Sequence, residues 1–450
     1  MHFKQTVKQC GVAAILGGWL LGSAVVTGGC DDGLSVAAGD NGIEVRQSKN
    51  ALCTRPVRDW RFNRLVYEGE VTGADDASLR YKQYEHIGRD SAVVLFLGGF
   101  ADFVEKYEFL FTAKNEYPGR TVPSDETLAD LPITFFSLDQ VGHGKSDGLK
   151  SHIDDFDTYV ENVKAMVDRI RTLKGTRLPL ILMSHSMGGL EAARFAETYS
   201  DDVDGLIFSS PMWGIQEPPG VPTGMLRPLA DFYVAAGLNT LCATPLGIDP
   251  TTLAAIAICQ SDPTLSACFN NPSQPMCSAL TMCLLQGQPN NCGLPPIDFA
   301  GLNALFQSLY MMPQGCSEMP DAEAICTVGG PEFQGTTSDF DFCVWSESHP
   351  LAGPQATFGW LSASYQGIDD MTTALSAIDM PTLVLTSPID PIVIPETHTA
   401  VCGALPNCTL VPFISNPDEG LYYFHQLLAE TDHASVIAAV RQFLTEFTRQ

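Results

Sequence analysis

Apolar positions along this chain fall into two alternating patterns. Nearly continuous apolar runs at Ala92–Leu97, Ile133–Leu138, Leu178–Met183, Leu206–Phe208, Thr382–Thr386 and Thr409–Phe413 predict strands buried on both faces. Two further strand-like runs, Arg64–Val71 and Leu79–Tyr84, precede them. Between these runs the apolar residues move to helical spacing. Over Phe156–Leu173 they are Phe156, Tyr159, Val160, Val163, Met166, Val167 and Ile170, one face of a helix. Helices are also predicted near Val104–Asn115 and over Gly188–Tyr199, Trp360–Ala377 and His433–Phe447. Strands alternating with helices predict a mostly parallel sheet covered on both faces.

The alternation stops at about residue 212 and resumes near Phe358. The interrupted stretch, 212–350, is rich in Pro, Gly and Cys. An insertion that leaves and returns at one edge of a sheet can stand over the strand ends as a cap. The expected organisation is therefore an export signal over 1–30, a tether over 31–60, a core in two parts (61–211 and 351–450) and a Cys-rich cap between them. The 450 residues, 45% of them apolar, suffice for one large core plus such an insertion.

Charge and cysteine narrow the setting. The formal net charge is −27, from 25 basic and 52 acidic residues, which opposes binding to phosphate backbones and argues against nucleic acid as a partner. Nine of the 14 cysteines lie between Cys242 and Cys343, irregularly spaced and without the tight Cys/His pairs of a zinc site. Disulfides formed outside the cytoplasm are the better reading, and Cys402 and Cys408 are close enough to staple one loop. Lys4 and Lys8 precede an apolar run from Gly11 to Val26, followed by Thr27, Gly28, Gly29 and Cys30. This resembles a bacterial lipoprotein processing site, with Cys30 the lipidated first mature residue. Plain secretion and a retained anchor are the alternatives. The expected location is the bacterial periplasm or cell envelope, with membrane contact through the lipid.

The candidate chemistry centres on Ser184-His-Ser-Met-Gly-Gly189, which follows a strand and opens a helix. That is the context of a nucleophile elbow around Ser186, where the sharp turn needs small residues at Ser184 and Gly188. A serine hydroxyl needs a base, and the base needs an orienting carboxylate. Asp390 follows the late strand Thr382–Thr386, and His425 lies between the last strand and the last helix. His433 is the rival base, but a solvated helix position suits it better. His185 should point away from the site, and His143 and His152 should support loops. Two backbone N–H groups are needed for an oxyanion, and Phe100, after Gly98-Gly99, and Met187 are placed to offer them.

With these residues in view, the chain resembles the lysophospholipase and monoacylglycerol-lipase branch of the α/β-hydrolases. Five ordered stretches carry the resemblance: Leu97–Tyr107, Asp139–Gly148, Ser184–Gly189, Ser209–Gly214 and His425–Glu430. It implies a mostly parallel eight-stranded sheet with helices on both faces, a cap insertion, and cleavage of a single-chain lipid ester without a cofactor or metal. Gly98 stands where the family commonly has histidine, and the cap matches no pattern of the family. Acyl transfer with the same triad and non-catalytic lipid binding on the same fold are the competing readings. Residues 212–350 hold twelve acidic residues against one arginine, Arg227, and no lysine, so a strongly anionic substrate is disfavoured.

Overall fold

The computed structural model describes residues 64–112, 126–217, 226–235, 237–243 and 336–448, most of 57–62, the strand backbone within 34–47, and Gly224, Ala322 and Cys326. Cys30 and most of the expected cap fall outside the described residues.

Eleven strands are described. β1 (Leu34–Gly39) and β2 (Gly42–Gln47) pair with each other. The other nine are β3 (Val57–Asp59), β4 (Arg64–Thr72), β5 (Ser78–His86), β6 (Ala92–Leu97), β7 (Ile133–Leu138), β8 (Leu180–His185), β9 (Gly205–Ser209), β10 (Thr382–Thr386) and β11 (Cys408–Pro412). They form one sheet in the order β11-β10-β9-β8-β6-β7-β5-β4-β3. From β7 to β11 every pair is parallel, while β3, β4 and β5 add antiparallel pairs at one end. The expected eight strands become nine, because β3 pairs three residues onto the edge of β4. Like β1 and β2, β3 lies in the stretch expected to be a tether.

Central strands are apolar on both sides because both sides are covered. In β6, Val93, Leu95 and Leu97 belong to one core cluster, and Ala92, Val94 and Phe96 to the other. The first core lies under α1 (Asp157–Lys174), α2 (Met187–Thr198) and α5 (Phe358–Ala374). The second lies under α7 (His433–Thr448), whose Val436, Ile437, Val440 and Leu444 are fully buried. The remaining helices are α3 (Leu226–Ala235), α4 (Phe340–Glu347) and α6 (Pro395–Ala404). Residues Val104–Leu110 form a 3-10 helix rather than the expected α-helix. All seven are buried, and their charges are consumed locally: Glu105 pairs with Arg80 and Lys82, and Glu108 with Lys82.

Arg64 shows how a buried charge is accommodated at the start of β4. It is fully buried, and its guanidinium donates to the carbonyls of Ala129, Tyr84, Ile133 and Leu131 at 2.7–2.9 Å. These bonds replace water, as a buried cation requires. Burial still pulls its pKa down to about 10.

The sheet order positions the site. The chain passes from β6 to β7 on one side and then crosses over to β8 on the other. The loops leaving β6 and β8 diverge there and open a crevice at the carboxyl ends of the strands. Two disulfides are described. Cys402–Cys408 closes the turn from α6 into β11, as the sequence spacing predicts, and Cys326–Cys343 ties Cys326 to α4 within the insertion.

Candidate functional site

Ser186 stands at the crevice, between the end of β8 and the start of α2. Its backbone has φ 50 and ψ −117, a strained conformation for a residue with a side chain. Such strain costs about 1–3 kcal/mol and persists only where the surroundings impose it. Here the surroundings are close. A Cβ on Gly188 would press into the carbonyl oxygens of Leu97 and Gly98, so α2 can approach β6 only with glycine at that position. Gly188 N–H donates to Gly98 O at 3.0 Å, and Ser184 Oγ donates to Ile207 O at 3.1 Å, tying the elbow to β6 and β9.

The structure brings Ser186, His425 and Asp390 together. His425 Nε2 is 2.8 Å from Ser186 Oγ, and His425 Nδ1 is 2.8 Å from Asp390 Oδ2. All three are buried. Burial alone would raise the Asp390 pKa, but His425 and the N–H groups of Val393 and Ile392 outweigh it and leave it below its ordinary value. Asp390 is therefore an ionised acceptor. It accepts a hydrogen bond from the N–H at Nδ1 of His425, which leaves the lone pair of Nε2 facing the serine hydroxyl.

Around this line, Gly99 N–H donates to Asp102 Oδ2 at 2.6 Å, which folds the loop after β6 back on itself. The N–H groups of Phe100 and Met187, expected to serve an oxyanion, donate no hydrogen bond within the described residues. Gly99, Phe100, Ser186 and His425 line a cavity of about 230 Å³. A Cβ on Gly99 would lie 3.1 Å from the Ser186 Cβ, so glycine keeps the cavity floor open. The Phe100 ring packs on Trp360 of α5 at 4.2 Å and edge-on to His143 at 5.8 Å.

Two histidines differ from expectation. His185 does not point away: its ring lies 4.8 Å from that of His425, it lines the cavity, and its Nδ1 is 3.2 Å from Ser209 O. Alternation along β8 puts it on the face of Ile181 and Met183, and His425 enters from that same face. Burial, with His425 beside it, pushes its pKa down to about 3, so it stays neutral. His433 is buried at the start of α7, where it packs edge-on to Phe109 and lies 3.3 Å from Glu126. It is not the solvated helix residue expected, and the structure sets it apart from Ser186. His143 is held by Val141 O at 3.0 Å, and burial lowers its pKa to about 4; His152 bonds Thr357 at 2.8 Å. Both support loops as anticipated.

Several lining residues were not singled out from the sequence. Asp102, Lys106 and Glu347 form a charged wall, with Lys106 Nζ 2.6 Å from Asp102 Oδ1. Burial opposes both charges, but each partner prevails on the other, so the lysine pKa is raised and the aspartate lowered. Glu347 reaches the cavity from the end of α4, so the chain returning from the insertion helps to enclose it. Asp102 was recoverable in principle, three residues beyond a glycine that needs its N–H capped; nothing in the local sequence marks Glu347. Among the described residues no three His, Cys, Asp or Glu side chains gather as metal ligands.

Comparison with known proteins shows what this arrangement is similar to. A family model described as serine aminopeptidase, S33, matches residues 91–257. A monoglyceride lipase homolog of Monkeypox virus is 29% identical over 143 residues, covering 31% of this chain and 51% of its own. Human monoglyceride lipase is 32% identical over 104 residues, 23% of this chain and 34% of its own. Lysophospholipase L2 of Escherichia coli (strain K12) is 25% identical over 178 residues, 38% of this chain and 47% of its own. The chain thus spans about half or less of the length of these relatives. A solved carboxyl esterase from Bacillus coagulans superposes with a TM-score of 0.52 at 14% identity, over 85% of this chain and 99% of that one, which shows a shared fold. On its sheet order, its strand-to-helix elbow and this shared architecture, the chain has the α/β-hydrolase fold, and part of it is similar in sequence to monoglyceride lipases and lysophospholipases.

Proposed function

We propose that this chain is a serine hydrolase that cleaves the carboxylic ester of a single-chain lipid, a monoacylglycerol or lysophospholipid, through an acyl-enzyme. The observation that carries the reading is the line of two 2.8 Å hydrogen bonds from Asp390 through His425 to Ser186. His425 Nε2 takes the hydroxyl proton as Ser186 Oγ attacks the ester carbonyl. The oxyanion that forms is met by the N–H groups of Phe100 and Met187, which are fixed before the reaction begins. His425 then gives its proton to the leaving alcohol. A water, activated by the same imidazole, attacks the acyl-serine and releases the fatty acid. Ser184, Gly99 and Gly188 hold the turns that make this approach possible.

The names of the relatives support a lipid ester as substrate. Charge supports a neutral or zwitterionic one. Arg227 of the insertion is engaged by Asp369 at 2.6 Å, and an anionic headgroup would compete with Asp102 for Lys106. Hydrolysis of monoacylglycerol, lysophosphatidylcholine and lysophosphatidic acid of one acyl length tests both points. The expected kcat/KM for the first two exceeds that for the third by at least about tenfold, the scale on which a pocket rejects an unpaired charged group. A preference for lysophosphatidic acid, or no ester hydrolysis at all, would contradict the proposal.

Export and a lipid on Cys30 belong to the same reading, supported by the disulfides Cys326–Cys343 and Cys402–Cys408, which suit an oxidising compartment. Expressed in a bacterium that processes lipoproteins, the protein should sediment with membranes, and Cys30→Ser should release it to the soluble fraction. Unchanged partitioning of the variant would argue against the anchor.

A further inference from the structure

His425 sits on irregular chain. No helix or strand runs from Tyr422 to Gln426, and only the short 3-10 turn Leu427–Ala429 follows. Yet the imidazole has to meet both the hydroxyl and the carboxylate at hydrogen-bond distance, and a displacement of about 1 Å is enough to cost about a hundredfold in rate. Something outside regular structure has to fix this segment.

Three ties do so. Ser387 Oγ donates to Tyr423 O at 2.6 Å, and Gln426 N–H donates to Thr336 O at 2.8 Å. The third tie is to the residue just before His425: Phe424 N–H donates to Glu430 Oε1 at 2.6 Å. Glu430 is completely buried, and its second oxygen accepts from Ser338 N–H at 2.5 Å and lies 3.1 Å from Thr337 Oγ, whose one proton it shares with Ala429 O at 3.0 Å. Residues 336–338 belong to the chain coming back from the insertion. One carboxylate therefore joins the neighbour of the histidine to the returning segment.

We propose that Glu430 is a positioning residue for His425, a strut that sets the imidazole against Ser186 and couples it to the chain returning from the cap. The inference rests on the reading of Ser186, His425 and Asp390 as the catalytic line and adds a residue to it. Its chemistry is specific. A carboxylate only accepts, and two backbone N–H groups and a shared hydroxyl, from two segments, converge on this one. A carboxamide in the same place would accept with one atom and turn N–H groups toward the remaining donors. A buried donor left facing a donor loses its bond without gaining water. Burial pushes the Glu430 pKa up to about 7, and the bonds from Ser338, Phe424 and Thr337 oppose that rise.

The test uses Glu430→Gln and Thr337→Val in the full-length protein. Active sites are counted with a fluorophosphonate, and kcat per counted site, KM and Tm are measured on a soluble acyl ester. For Glu430→Gln the expected result is a fall in kcat per site of about 10- to 100-fold, with KM within about twofold of wild type, because geometry is lost and binding is not. Thr337→Val, which removes one donor, should lower kcat per site by a few-fold with the same unchanged KM. A merely structural carboxylate would lower Tm and leave kcat per counted site at the wild-type value, and that outcome overturns the strut. Should Glu430→Gln not fold, a wild-type kcat per site in Thr337→Val overturns it equally. If the wild-type protein takes no label at Ser186 and turns over no ester, the catalytic reading itself has failed, and the strut falls with it.

Discussion

Ser186→Ala is expected to abolish turnover, with kcat on an acyl ester falling by about 10⁴- to 10⁶-fold, the range in which loss of a nucleophile leaves only binding and oxyanion stabilisation at work. The fold should survive. The Ser186 Oγ is hydrogen-bonded to His425 Nε2, the backbone conformation belongs to the elbow and not to the hydroxyl, and alanine removes one atom from a cavity-lining side chain. Tm should therefore stay within a few degrees of wild type. Steady-state hydrolysis by purified, mass-verified protein checks the first number, and thermal unfolding the second. A variant retaining more than about a tenth of wild-type activity would mean that ester cleavage does not pass through this hydroxyl.

The second large effect is expected at Asp390→Asn, where kcat should fall by about 10³- to 10⁴-fold with little change in KM. The argument is one of tautomers. Asp390 Oδ1 accepts from the N–H groups of Ile392 and Val393 at 2.8 and 3.0 Å, and an asparagine oxygen can keep both bonds. Its amide nitrogen then faces His425 Nδ1, where Asp390 Oδ2 stood. Donor now meets the imidazole, so Nδ1 becomes the acceptor and the proton moves to Nε2. The imidazole points N–H at the serine hydroxyl and can no longer take its proton. Activity within about tenfold of wild type would show that this carboxylate does not set the tautomer used in catalysis.

The sequence made some of this architecture legible, for identifiable reasons. Strands β6 to β10 are apolar on both faces because both faces are covered, and such runs stand out in any chain. Their ends still moved: β8 runs Leu180–His185, two residues later than its apolar run, because Ser184 and His185 continue the ladder with polar side chains. The edge strand β3 is three residues long and carries no period to read. Helix α6 went unread because its buried side chains, His398, Val401 and Cys402, do not make an apolar stripe. Strand order is a fact of long-range pairing, and the placement of β6 between β7 and β8 was available only through resemblance to a known family.

The site divides in the same way. Ser186, Asp390 and His425 could be picked out because Ser186 and Asp390 follow strands and His425 lies between the last strand and the last helix. His185 and His433 were misread because a position in sequence does not say which neighbours arrive from other segments. His185 meets His425, some 240 residues away in the chain, and His433 is covered by Phe109 and Glu126. The charged wall of Asp102, Lys106 and Glu347 needs the insertion to return beside the loop after β6, which no local pattern encodes.

The reactivity of one oxygen is the most direct measure of the account. Wild-type protein is treated with a fluorophosphonate, digested and mapped by mass spectrometry, beside His425→Ala. The account predicts a single adduct on Ser186 in the wild type, formed at least about a hundredfold more slowly in the variant, since the attacking oxygen depends on that imidazole. An adduct on another residue, or equal labelling rates in the two proteins, would contradict it.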